Sequence, residues 1–212
     1  SENSKNSYEI CYTGAMVTPL ESYPELAQKV GFPALYFKRE DLHPYGSHKG
    51  RSIPPMIGHY FQNGDRAFAI SSSGNAGLAA AIHIGKLAQQ AGDGAPLSLD
   101  IFVGNHLTPN KLQRIENAIE QAKNDGPSAT IRILKKERPL QALFQVAEEG
   151  VRSLRQSTDD EALVGYASLA EELIESSNKI EKIGAVFIGT SSGTTAQALA
   201  DYFLKHNSPI QV

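Results

Sequence analysis

The sequence predicts an α/β fold built on a mainly parallel sheet. Two observations predict it: short β-rich runs alternate with amphipathic stretches of helical spacing through the middle of the chain, and the loops at several of these junctions carry Gly, Ser and Pro where a strand passes into a helix. A third observation sets the scale, because 212 residues give enough chain to bury a substantial core.

Strands are expected at 34–38, 66–70, 97–103, 130–134 and 185–188. The stretch 76–91 is a helix rich in small residues, of the kind that packs closely on a sheet. Thr108 and Pro109 open a helix in which Leu112, Ile115, Ile119 and Ala122 share one face. Pro139 opens a longer stripe of Leu140, Leu143, Phe144, Ala147, Val151 and Leu154. A last helix is expected at 194–206, stopped by Asn207, Ser208 and Pro209. Strands that alternate with helices in this way form βαβ units with right-handed crossovers. Residues 91–96 form a turn cluster, and 156–161 is a polar hinge candidate. Ile210, Gln211 and Val212 read as the opening of another buried strand, so the fold is expected to be C-terminally incomplete. Further polypeptide, a missing C-terminal segment or a second chain, is expected to finish it.

Composition narrows the function classes. Lys+Arg 20 against Asp+Glu 23 leaves a net charge of −3, so no basic excess is available to hold a phosphate backbone and nucleic acid is not expected as a partner. Cys11 is the only cysteine, which excludes an internal disulfide and a Cys-based zinc site; no metal is expected. No apolar run approaches the ~20 residues of a membrane span, and a cytoplasmic protein is the default expectation.

Three segments carry chemistry. In the first, a strand runs into the Pro44–Gly46 turn and Lys49 follows at the start of a helix. The positive helix end disfavours a second positive charge, and a neutral amine is the form that attacks an aldehyde to give a Schiff base. A solvated surface lysine is the plain alternative. In the second, Ser71, Ser72, Ser73, Gly74, Asn75, Ala76 and Gly77 join a strand to a helix, and their hydroxyls and N–H groups suit a carboxylate or phosphate. A Ser/Asn helix cap without a ligand would look similar. In the third, Gly189, Thr190, Ser191, Ser192, Gly193 and Thr194 again link a strand to a helix and suit a phosphate monoester. The Walker lysine and the G-x-G-x-x-G dinucleotide fingerprint are both missing. The third segment also matches G-x-S-x-G, the hydrolase nucleophile elbow, with Ser191 as nucleophile. Only Asp201 and His206 follow it, both on the helix the elbow opens, where they point away from Ser191.

In this order and spacing, with Thr18-Pro19-Leu20 before them, the three segments resemble the fold-type II pyridoxal 5′-phosphate enzymes, the tryptophan synthase β-like superfamily. Lys38-Arg39-Glu40-Asp41-Leu42 followed by Gly46-Ser47-His48-Lys49 is most similar to tryptophan synthase β chains. Ser72-Ser73-Gly74-Asn75 is closer to cysteine synthase, threonine dehydratase and threonine synthase. Thr108-Pro109-Asn110-Lys111 with Arg114 and Ile115 is similar to the helix after the small-domain strand in those enzymes. The likeness spans roughly residues 16–206.

The resemblance implies a three-layer architecture in two lobes: 1–52 in a large lobe, 53–155 as a small mobile lobe, and 156–212 returning to the large lobe. It implies pyridoxal 5′-phosphate as cofactor and a small amino acid as substrate. The reaction would be lyase or synthase chemistry, with α-proton abstraction and β- or γ-elimination or replacement. Lys49 would carry the cofactor and then act as acid and base, and His48 could contact the phosphate. Asn75 would bond the ring hydroxyl. Ser72, Ser73, Asn75 and Ala76 would hold the substrate carboxylate, and Gly189 to Thr194 would cup the phosphate. A homodimer is compatible with the resemblance. The sequence departs from the family in its serine-rich phosphate loop and in offering no identifiable residue for the pyridine nitrogen; Glu137 and Glu161 have only the right charge. Cofactor binding without turnover and serine hydrolysis through Ser191 are the alternatives.

Overall fold

A computed structural model describes residues 16–91, 96–124, 129–180 and 182–212. The first part of the chain forms β1 (Leu20–Ser22), α1 (Pro24–Val30), β2 (Tyr36–Lys38) and α2 (Lys49–Gln62). Then come β3 (Ala67–Ser71), α3 (Asn75–Ala91), β4 (Leu97–Gly104), α4 (Pro109–Asn124), β5 (Ala129–Lys136), α5 (Pro139–Glu148) and β6 (Arg152–Ser153). The last elements are α6 (Glu161–Val164), α7 (Ala167–Lys179) and α8 (Thr194–Lys205).

The four strands β5-β4-β3-β6 make one sheet in that order, and every pairing in it is parallel. Alternation along the strands builds layers on both faces. Phe68 and Ile70 of β3 and Leu97, Leu99, Ile101 and Val103 of β4 pack with residues of α2, α3 and α4. Ala69 and Phe102 point the other way, onto Leu143 of α5. The result is the expected α/β/α sandwich. Small residues set the helix spacing: a Cβ at Gly85 of α3 would stand 2.5 Å from the Cβ of Ala122 on α4.

A second core lies outside the sheet, where Tyr166, Leu169 and Leu173 pack with Leu199, Phe203 and Ile210. β1 and β2 form a separate antiparallel ribbon, with Leu20 opposite Lys38. No helix of the described residues is long and apolar enough to cross a membrane.

Two expectations need correction. The stripe from Leu140 to Leu154 is not one helix: α5 stops at Glu148, Gly150 turns the chain at φ +91°, and Leu154 is buried beyond β6. Apolar spacing cannot separate a continued helix from a helix, a turn and a short strand, and here the left-handed glycine decides. The strand at 185–188 shrinks to a single parallel bridge between Ala185 and Gln211. The hinge candidate at 156–161 holds a 3-10 turn at Gln156–Thr158 and the start of α6. The turn cluster at 91–96 falls mostly outside the described residues, as does Cys11.

Candidate functional site

Lys49 is the first residue of α2. Its N–H donates to Ser47 Oγ at 3.2 Å, which fixes the chain as it enters the helix. Gly50 then allows close packing, because a Cβ there would lie 2.3 Å from the His43 ring. Burial draws the Lys49 ammonium below the usual lysine range. Burial acts in the same direction as the positive helix end at which Lys49 sits.

The loop 189–193 faces Lys49. Together with His48 and Thr195 they enclose a hollow of about 100 Å³. Gly193 adopts φ +77° and caps α8, so the first N–H groups of that helix open toward the loop. Ser192 and Thr194 share a hydroxyl contact of 2.8 Å, and Thr194 Oγ1 donates to the Gln156 carbonyl at 3.3 Å. The His48 ring stacks on Tyr166, with centroids 6.3 Å apart. Burial first, and then the neighbouring Lys49 charge, makes its imidazole harder to protonate than an ordinary histidine. Tyr166 is itself fully buried, and burial pushes its phenol up, opposed by the neighbouring polar side chains of Thr195, Ser52 and Gln156.

A larger cleft of about 390 Å³ opens beside this hollow. Lys49, Ser191 and Ser192 line one side, and Ser71, Ser72 and Ala76 at the start of α3 line another. Leu140, Leu143 and Leu154 give it an apolar wall, and Arg155, Gln156 and Ser157 close it. Ser72 Oγ accepts from the Gly74 N–H at 3.3 Å, shaping the turn into α3. Asn75 lines a neighbouring hollow of about 250 Å³ with Lys111 and Arg114, while Ser73 is exposed at the loop tip.

Behind Lys49, Arg51 is 1% exposed and joins two carboxylates. It reaches Glu172 at 2.6 Å and Glu40 at 2.8 Å, and Lys38 also pairs with Glu172. Burial alone would raise the Glu40 carboxyl, but hydrogen bonds from Arg51 and Thr18 hold it below the ordinary range. The cluster ties α2 to β2 and α7. Gly165 packs directly on the Arg51 carbonyl, which Pro55 leaves outside the helix ladder; a Cβ at Gly165 would stand 1.7 Å from that oxygen.

The structure thus brings Lys49, His48, Ser72, Ala76 and the loop Gly189, Thr190, Ser191, Ser192 and Gly193 to adjoining hollows. Sequence reasoning missed Arg155, Gln156, Thr195 and the Arg51–Glu172 pair, which belong to no short motif. Among the described residues, no acid–histidine pair stands ready for Ser191. His206 is 12 residues along α8, about 18 Å from its start, and its Nδ1 meets the Tyr202 carbonyl at 2.8 Å. Glu161 lies 3.5 Å from His59.

The donor set fits a phosphorylated aldehyde: an amine of lowered pKa, hydroxyls and helix N–H groups, and no carboxylate among the described lining residues of these two hollows.

Comparison with known proteins agrees. The sequence pattern of the pyridoxal-phosphate dependent enzymes matches residues 12–212. The chain is 28% identical over 184 residues to the L-serine dehydratase/L-threonine deaminase of Bos taurus, covering 84% of this chain and 50% of that protein. A pyridoxal 5′-phosphate-dependent aspartate racemase shares the fold with a TM-score of 0.73 and 21% identity, over 92% of this chain and 55% of the racemase. The diaminopropionate ammonia lyase of Escherichia coli gives 0.72 and 17%, over 97% and 62%. The chain spans about half the length of the curated dehydratases it matches.

Proposed function

This chain belongs to the pyridoxal-phosphate dependent enzyme family, and from that premise we propose that it forms the cofactor-binding part of a lyase or synthase acting on a small amino acid. The reaction would remove the α-proton and then eliminate or replace a β- or γ-substituent. One observation carries the reading: Lys49, with its lowered pKa, shares a hollow with the hydroxyl-rich loop at the α8 N-terminus.

Each residue has a stated task. Lys49 would hold the cofactor aldehyde covalently and, once released, move a proton at the substrate α-carbon. Gly189, Thr190, Ser191, Ser192, Gly193 and Thr194 would hold the phosphate by N–H and hydroxyl donors, with His48 beside them. Ser72, Ser73, Asn75 and Ala76 at the start of α3 would hold the substrate carboxylate, and Asn75 would also reach the ring hydroxyl. Pyridoxal 5′-phosphate, when bound, draws electrons from the substrate α-carbon and so eases loss of its proton. Residues 53–155 would move as a small lobe against 1–52 and 156–212, closing the cleft and excluding water. Further polypeptide, a C-terminal segment or a second chain, would cover apolar side chains such as Phe187 and Leu204, each 79% exposed. The reading keeps the cytoplasmic location. Cofactor binding without turnover is the second reading, favoured by those same exposed apolar side chains.

The test is borohydride reduction after incubation with pyridoxal 5′-phosphate, followed by peptide mass spectrometry. A pyridoxyl mass on Lys49, absent in Lys49→Ala, is the expected result. A mass on another lysine, or none, overturns the assignment. Exchange of the α-proton of added amino acids into deuterated water separates turnover from binding alone.

A further inference from the structure

We propose that Arg155 receives an anionic group at the end of the substrate side chain, so that the favoured substrates are α-amino acids with an acidic side-chain terminus. The inference rests on the pyridoxal-phosphate reading for the amino-acid end of the substrate and adds the chemistry of the other end.

The placement follows from strand register. Ala69 of β3 is opposite Ser153 of β6, and the Leu154 N–H donates to the Ala69 carbonyl at 2.8 Å. β6 ends at Ser153, and Arg155, two residues on and still in extended backbone, lines the same cleft as Ser71 and Ser72. Arg155 therefore flanks the segment assigned to the α-carboxylate, from the neighbouring strand end, and it lines the same cleft as Lys49.

Charge supplies the second argument. The described lining of the cleft holds two cationic side chains, Lys49 and Arg155, and no carboxylate. Lys49 is committed to the cofactor aldehyde, and the helix N-terminus serves the α-carboxylate. Among the described residues Arg155 makes no ion pair. Its guanidinium instead lies over the Phe144 ring, 5.1 Å from the centroid, a contact made through the face of the group rather than through its N–H donors. Leu140, Leu143 and Leu154 line the cleft around it, and an apolar wall strengthens an ion pair formed there. A planar fork in that setting suits a carboxylate or a phosphate.

The test is calorimetric titration of the full chain, loaded with pyridoxal 5′-phosphate and also without it, using L-aspartate, O-phospho-L-serine and L-alanine. The wild-type protein is expected to bind at least one of the two acidic ligands about ten- to hundredfold more tightly than alanine, the value of one charge-assisted contact. Comparing the two acids distinguishes carboxylate from phosphate. Arg155→Gln should reduce that ligand to the alanine level and leave alanine binding and cofactor uptake unchanged. Arg155→Lys should restore part of the preference. Three outcomes overturn the proposal: no acidic ligand preferred, a preference that survives Arg155→Gln, or alanine weakened as much as the acids, which would assign Arg155 to the α-carboxylate. Failure of the cofactor reading is seen separately, as absence of the pyridoxyl mass on Lys49; normal attachment without acid preference sinks only the role of Arg155.

Discussion

Within the parallel sheet, Leu99 and Ile101 are fully buried between strands and helices; in the 183–212 region, Phe187 and Leu204 are each 79% exposed. The sheet unit closes its own core from three helices on one face and one on the other. The α7–α8 unit has a smaller apolar core and is tied to α2 by buried charge, through Arg51, Glu40 and Glu172. The candidate site lies where the two meet, with Ser72 and Ala76 from the first and the loop 189–193 facing them. Adhesion between the units is therefore polar and directional in part, beside the close packing of Gly165 on α2 and of His48 on Tyr166. Such polar contacts fix geometry well and tolerate the loss of one partner badly.

The strongest way to break the comparison is to remove the tie. Arg51→Ala would leave Glu40 and Glu172 buried with reduced compensation, at a cost of about 3–5 kcal/mol. Urea unfolding should show it, and the Lys49 hollow should lose cofactor affinity in the same variant. A cost below about 1 kcal/mol would mean that the charged cluster is not what joins the units.

Matched truncations come next. Leu99→Ala should cost about 2–5 kcal/mol because it empties a closed core. Phe187→Ala should stay within about 0.5 kcal/mol, since the ring is already in water. If both unfolding midpoints fall equally, Phe187 is covered in solution and the contrast between the regions is lost.

The same contrast explains what could be read from the sequence. β3, β4 and β5 were legible because their alternation is enforced by cores on both faces, and Lys49, Ser72 and Gly189 were legible because each sits at a strand-to-helix junction. Val151 and Leu154 were misassigned to a helix since burial, which they share with α5, says nothing of the turn at Gly150. The run 185–188 has strand-like composition but forms only the Ala185–Gln211 bridge, because a strand needs neighbours as well as propensity. Arg155 and Arg51 gave no signal. A charged residue enters a site or a buried pair through tertiary placement, and local pattern carries no trace of that.

The mildest prediction asks whether acid weakens the sheet unit from within. His83 of α3 is buried, with Nδ1 3.0 Å from the Tyr45 hydroxyl and Nε2 without a partner among the described residues. Burial first, and then the Lys86 charge, draws its pKa down to about 3. The unfolded chain therefore takes up a proton near the ordinary histidine value of about 6.5 while the native chain does not. Stability is unaffected above that pH and falls as pH drops from there toward about 3, at no more than about 1.4 kcal/mol per pH unit for this one group. His43 and His48, also lowered by burial, add in the same direction. Urea unfolding at pH 7.5 and pH 5 should show wild-type protein weaker at pH 5, and His83→Leu should shrink that difference by roughly 2 kcal/mol while leaving the contributions of the other two. A difference unchanged by the substitution would move the acid sensitivity out of the sheet unit and onto the junction, where His48 stacks on Tyr166.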